Sequence, residues 1–412
     1  MEVLMVLLSP LCDSRHASNA VLSPAPRPVN DSSAPIAPTS SLPTLDYGQL
    51  LPGSPHRDQA LMALRRAARD PGFFYLENTG LDLGQQTELL ALAARLFALS
   101  DAQKQEVQMV HSPHFRGYNR VGVELTRARP DWREQFDIMA EEPCLPDALL
   151  HHPWQGLQGP NLWPSALPEL RGALLGWQAQ LTLIGLTLIR AFAEALAQPA
   201  DAFDESLSPL PYRHTKLIHY PGRDEDDGQG VGAHKDPGYL TLLLQDSHGG
   251  LEVLTEQGWT PAPPRAGALL VNIGELLELA SNGYLKATLH RVVSPPPGVS
   301  RLSCAFFMAA RLDAAVPLLT LPPPSRPRRQ GSRAIRTTRS FIRWGRTCSR
   351  DDCAPTRMWR PATMPPHRPG SPSGERPHNR PPYPLMAIGR HKDTPFTLRS
   401  RAQGYKRPAH WP

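Results

Sequence analysis

Apolar positions recur at helical spacing through most of the first 200 residues, and from Tyr212 they gather into short runs broken by turn residues. A short strand in SLPTLDYGQLL is followed by the amphipathic stretch DQALMALRRAARD, which predicts a helix stopped by Pro71-Gly72. Phe73 to Leu76 reads as a strand, and Gln85 to Leu99 repeats Leu and Ala as a second helix. A polar stretch containing RGYNRVGVELTRARPDWREQFDIM leads to GPNLWPSALPEL and a long helix through about Ala197, apolar on most faces and suited to backing a sheet. The short β runs then lie at His214 to Tyr220, Tyr239 to Gln245, Leu251 to Leu254, Ala268 to Ile273, Ala287 to Val293 and Leu302 to Ala309, with a hairpin tip at Gln257-Gly258. Helices first and strands second predict an α+β fold: a double-stranded β-helix (jelly roll) core with flanking helices, largely N-terminal.

Composition changes this picture at the two ends. Residues 1–40 are rich in Pro, Ser and Ala and read as a disordered leader. The chain's net charge of +6 suggests a basic protein, but the charge is unevenly placed. Residues 321–412 hold 20 Lys or Arg against 4 Asp or Glu, which leaves 24 against 34 before them out of totals of 44 and 38. The body is therefore acidic, at −10, and the tail carries +16. Low apolar content with one-signed charge predicts disorder over 316–412, a basic Pro/Arg-rich tail that a reading-frame shift in a GC-rich message would also produce. The tail carries no recognisable nucleic-acid-binding module, so a nucleic-acid partner is not expected. Five scattered cysteines lack the spacing of a disulfide framework or zinc site and fit a reducing cytoplasm. MEVLMVLLSPLC lacks the basic start and clean cleavage site of a signal peptide. No apolar stretch reaches the roughly 20 residues of a membrane helix, so no membrane partner is expected.

His234 and Asp236 stand two apart, a spacing that puts both side chains on one face of an extended segment. His290, on a later strand, can close on them. Two imidazoles and one carboxylate leave coordination positions open, the ligand set of non-haem Fe(II) oxygenases. An isolated H-x-D pair is commonly a surface pair, and what strengthens this one is its company. Eleven positions after His290 comes Arg301-Leu302-Ser303, whose guanidinium and hydroxyl share one strand face and can hold a carboxylate.

These motifs, with LIHYP, AHKDPGYLTLLLQD, GGLEV, GALLVNIGELLELASNGYLKATLHRV, GFFYLENTG and RGYNRVGVE, make residues 42–315 resemble the isopenicillin N synthase-like branch of the 2-oxoglutarate/Fe(II)-dependent dioxygenases, in its bacterial form. The resemblance implies a non-haem dioxygenase N-terminal region over 41–155 and a helix plus jelly-roll catalytic domain over 156–315. It implies Fe(II) at His234, Asp236 and His290, with 2-oxoglutarate and O2 as cosubstrates. Arg301 and Ser303 would bind the far carboxylate of 2-oxoglutarate, and Tyr220 the carboxylate next to iron. The family's asparagine two places before that tyrosine is Ile218 here. Asn272 and Asn282 match positions that shape the barrel. Arg116, Tyr118, Arg120, Glu124 and Arg133 fall in the segment that borders the substrate mouth.

The implied activity couples oxidative decarboxylation of 2-oxoglutarate to succinate with hydroxylation, desaturation or cyclisation of a small organic molecule, by a cytoplasmic monomer. An isopenicillin N synthase-like or ethylene-forming oxidase is the alternative, since R-x-S also serves other cosubstrates. A non-catalytic metal-binding remnant is a third reading, because the closing helix of the family is replaced here by the basic tail.

Overall fold

The computed structural model describes residues 42–223 and 229–321, and the expected leader and the tail from 322 lie outside them. Fourteen strands are present among these residues. They are β1 (Thr44–Asp46), β2 (Phe73–Glu77), β3 (Gly117–Asn119), β4 (Leu125–Thr126), β5 (Arg129–Pro130), β6 (Glu134–Met139), β7 (Tyr212–Pro221), β8 (Gln229–His234), β9 (Leu240–Gln245), β10 (Leu251–Thr255), β11 (Gly258–Pro261), β12 (Leu269–Ile273), β13 (His290–Val293) and β14 (Ser300–Ala309). The longer helices are α1 (Arg57–Arg69), α2 (Leu83–Phe97) and α3 (Glu169–Ala195), and a short α4 (Glu275–Ala280) follows β12.

Eight strands form the major sheet in the order β1-β2-β12-β9-β14-β7-β6-β3, and four form the minor sheet in the order β11-β10-β13-β8. Only β1 and β2 are parallel. The result is the jelly roll with flanking helices that the pattern predicts.

Strand alternation divides the apolar residues between two cores. On β14, Cys304, Phe306 and Met308 face the helices and join Leu188, Ile189 and Phe192 of α3. Ala305 faces the other way, into a smaller cluster between the sheets with Ile218, Tyr220, Val231, Leu243 and Val292. Gly185 lets α3 approach β14, since a Cβ there would stand 2.8 Å from the Met308 sulfur.

Two expectations are corrected. By length and composition α3 would suffice to cross a membrane, contrary to the reading that no stretch is long enough, but half of its most apolar window is buried inside the protein, which fits a core helix. The folded chain also continues past 315: Val316 is buried, and the Leu319 amide donates to the Ala280 carbonyl at 2.8 Å. Leu319 and Leu321 pack on the helix-side core, burying apolar surface that a disordered tail would leave in water.

β6 emerges from the polar stretch that shows no strand period. All six of its residues are buried, including Glu134, Gln135 and Asp137. Its apolar face, Phe136 and Ile138, joins the helix-side core, while Gln135 and Asp137 lie on the opposite face.

Candidate active site

His234 ends β8 and His290 begins β13, and these two residues face each other in register across the minor sheet. Their ring centroids are 4.2 Å apart. Asp236, just past β8, brings Oδ1 to 3.6 Å from Nε2 of both histidines. Ligand atoms of all three residues lie within 4.8 Å of one another.

The surroundings fix which atoms face inward. His234 Nδ1 donates to the Gly232 carbonyl at 2.8 Å, and His290 Nδ1 to the Thr288 carbonyl at 3.1 Å. A carbonyl can only accept, so each Nδ1 carries the proton and each Nε2 keeps its lone pair for a metal. Asp236 Oδ2 accepts from Thr241 Oγ1 at 2.5 Å and from Asn272 Nδ2 at 2.7 Å, which leaves Oδ1 free to face the histidines. Burial, then the neighbouring His290 ring, pushes the His234 pKa down to about 3. Burial would raise Asp236, but the two imidazoles and the two hydrogen bonds hold it below the usual carboxylate range. At neutral pH His234 is therefore a neutral imidazole and Asp236 a carboxylate, the protonation states a divalent ion requires of such donors.

Arg301 and Ser303 lie on β14 in the same cavity. Arg301 is fully buried; its Nη2 donates to Gln245 Oε1 at 2.9 Å and its guanidinium stacks 4.8 Å from the Tyr220 ring centroid. Among the described residues its Nε and Nη1, and Ser303 Oγ, have no hydrogen-bond partner. A buried guanidinium without a counter-anion is expensive, and a carboxylate would satisfy all three atoms. Tyr220 pairs in register with Arg301, and Ile218 with Ser303.

Of the five mouth residues named from sequence, Glu124 and Arg133 line this cavity. Arg116, Tyr118 and Arg120 do not. Arg116 is a buried tie: its Nη1 donates to the carbonyls of His114 at 2.8 Å and Leu157 at 2.6 Å, and its Nε to Asn161 Oδ1 at 3.1 Å. Tyr118 donates to Glu134 Oε2 at 2.5 Å, and Arg120 is exposed. Asn272, taken as shaping the barrel, also props the Asp236 carboxylate. Asn282 sits at φ 53 in the turn after α4. Thr241, which also holds Asp236, and Lys216, which lines the cavity, were not singled out from sequence. Each stands in a plain strand pattern, and only the register with neighbouring strands gives it a role.

Residues 42–166 match the family described as non-haem dioxygenase in morphine synthesis N-terminal, and residues 212–310 match the 2OG-Fe(II) oxygenase superfamily. A 2-oxoglutarate-dependent dioxygenase, frbJ, of Dothideomycetidae sp. (strain 11243) is 34% identical over 290 residues, 68% of this chain and 77% of its own length. The chain belongs to the 2OG-Fe(II) oxygenase superfamily. Another relative of this oxygenase, the homoarginine-6-hydroxylase 2-ODD-233 of Oryza sativa subsp. japonica, is 34% identical over 63% of this chain and 80% of its own length. Among solved structures, a full-length Neurospora crassa protein in complex with alpha-KG and 5-formyluracil superposes with a TM-score of 0.61 at 25% identity, covering 74% of this chain and 94% of that one. A 2OG-Fe(II) oxygenase family protein from Caulobacter crescentus gives 0.57 at 28% identity, covering 68% and 90%. The protein is thus a non-haem oxygenase that uses Fe(II), 2-oxoglutarate and O2.

Proposed function

We propose that His234, Asp236 and His290 hold the iron and that Arg301 and Ser303, with Tyr220 beside them, hold 2-oxoglutarate for the oxidation of a small organic molecule. The observation that carries this reading is a cavity with a two-histidine, one-carboxylate group that could hold a metal and a separate set of buried donors lacking an acceptor. Iron held there would activate O2, the oxidant, with two electrons supplied by 2-oxoglutarate as it is decarboxylated to succinate and CO2 and two by the substrate. The chain's own residues do the rest. Gly232 and Thr288 orient the imidazoles, Thr241 and Asn272 fix the carboxylate, and Arg301 and Ser303 orient an anion in the same cavity.

The finer placement, in the isopenicillin N synthase-like branch in its bacterial form, rests on the quoted motif phrases; of the proteins described above, the two sequence relatives are fungal and plant and the Caulobacter crescentus structure is bacterial. Hydroxylation is supported by the activity for which the rice relative is named. We further propose a cytoplasmic monomer with no nucleic-acid or membrane partner, on the scattered cysteines and the partly buried α3, and a division into an N-terminal region at 41–155 and a catalytic domain that begins at 156 and runs past 315.

Anaerobic addition of Fe(II) and 2-oxoglutarate tests the site. A visible charge-transfer band should form, vanish in His234→Ala and weaken in Arg301→Ala. Iron binding with no band on adding 2-oxoglutarate would leave the isopenicillin N synthase-like alternative in its place.

A further inference from the structure

Besides Glu124 and Arg133, the cavity holds a buried lysine that the iron and 2-oxoglutarate sites leave unused. Lys216 lies on β7, in register with Asp137 of β6 on one side and Ala305 of β14 on the other. Its side chain is 2% exposed, and it lines the cavity. An ammonium carries three donors, yet among the described residues its one charged partner is Asp137 Oδ1 at 3.3 Å. That oxygen is already engaged by His214 Nε2 at 2.5 Å, and Asp137 Oδ2 accepts from Gln135 Nε2 at 2.8 Å. The other neighbours in register offer no anion: Ala305 and Leu243 are apolar, and Ile218 and Phe307 flank the row. Burial of a cation with so few acceptors is unfavourable unless a ligand supplies more.

Lys216 is also set apart from the two sites already assigned. Four residues of strand separate it from Tyr220, the partner of Arg301, roughly 13 Å at the usual rise. Two strand spacings, roughly 10 Å, separate β7 from β9, whose Thr241 holds Asp236. It stands toward β6 and the segment bearing Glu124, Thr126 and Arg133, which lines the same cavity. Ala305 across from it leaves room at the ammonium that a larger side chain would fill.

We propose that Lys216 is the anchor for the oxidised substrate and that this substrate is a small molecule carrying a carboxylate. Asp137 already offsets part of the lysine's charge, so the position suits a monoanion. The inference rests on the iron and 2-oxoglutarate reading above and deepens it.

The test compares wild type, Lys216→Arg, and the double variant Lys216→Met with Asp137→Asn, which leaves no buried charge behind. The probes are a panel of monocarboxylic acids and α-amino acids, each beside its methyl ester, in the presence of Fe(II), 2-oxoglutarate and O2, with succinate release as readout. Wild type should favour at least one acid over its ester by roughly 10-fold or more, Lys216→Arg should keep that preference, and the double variant should lose it. The anaerobic charge-transfer band should persist in the double variant with a similar 2-oxoglutarate titration. No acid preference across the panel in wild type, or a preference that survives in the double variant, overturns the proposal. A band lost in the double variant also overturns it, by assigning Lys216 to the cosubstrate. Absence of the band from wild type is a different result, which removes the iron and 2-oxoglutarate reading instead.

Discussion

Arg301 has its Nε and Nη1 buried without an acceptor among the described residues, next to an equally unpartnered Ser303 hydroxyl. Removing the guanidinium should leave the metal cluster intact and strip away charge-assisted hydrogen bonds worth about 1.5–3 kcal/mol, so Arg301→Ala should bind 2-oxoglutarate roughly 10- to 150-fold more weakly. Titration of the charge-transfer band measures this, and an unchanged midpoint would remove Arg301 from the cosubstrate site. A second residue-scale prediction concerns pH. Burial would raise Asp137, but Lys216 and then His214 hold it well below the carboxylate range, so its stabilisation is present above the ordinary value near 4 and lost as pH falls below it. Burial, opposed in part by Asp137, lowers His214, so the folded protein keeps this imidazole neutral while the unfolded chain gains a proton below about 6.5. Both effects have the same sign: stability rises with pH through the acid range. Thermal unfolding of the iron-loaded protein should give a Tm that falls as pH drops below about 6.5, and His214→Gln should flatten the limb between roughly 6.5 and 5 while leaving a fall near 4.

At the scale of elements, the site depends on how the β12–α4 junction grips the turn after β8. The Glu275 amide donates to the Asp236 carbonyl at 2.8 Å and the Gly274 amide to the Tyr239 carbonyl at 2.9 Å. A Cβ on Gly274 would overlap the Gly238 carbonyl, which is backbone and cannot swing aside. Gly274→Ala should therefore displace the Asp236 turn, costing about 1–3 kcal/mol of stability and weakening Fe(II) binding. Gly249→Ala, with nothing within 4 Å of the new Cβ, is the control and should change neither Tm nor iron affinity. The same elements show how far the sequence could be read. β7, β9, β10, β12 and β14 declare themselves through apolar runs between turn residues. The three metal-cluster residues, Arg301 and Ser303 declare themselves through spacing. β6 does not, because the residues opposite its core face are Gln135 and Asp137, which break the apolar count that reveals a strand. Arg116 has the opposite problem: a charged side chain in a polar stretch looks like a mouth residue, and only the structure shows it buried on three backbone carbonyls and the Asn161 amide oxygen. Lys216 gains meaning only from its register with Asp137 and Ala305, which no linear pattern contains.

Across the molecule, the site residues are divided between the two sheets. His234 and His290 belong to the minor sheet, while Arg301, Ser303, Lys216 and the props Thr241 and Asn272 belong to the major one. Asp236 joins them, following a minor-sheet strand and held by major-sheet side chains. A cation held by the histidines and Asp236 would contact the minor sheet, and an anion held by Arg301 the major one, so the two together would occupy the cavity between the sheets. Ligands that bind only the folded state stabilise it by mass action, about 2.7 kcal/mol for a ligand at 100 times its Kd. For a folded body of this size that corresponds to a rise in Tm of about 5 °C. Chelation of iron should lower the Tm of the loaded protein by about that amount, and adding Fe(II) back should restore it. 2-Oxoglutarate should add a further rise in the iron-loaded wild type and little in Arg301→Ala. His234→Ala should lose the response to iron. If chelator and 2-oxoglutarate both leave the wild-type Tm unmoved while the charge-transfer band is present, the ligands do not bind the folded state in preference to the unfolded chain, because mass action requires a ligand of the folded state alone to raise the Tm.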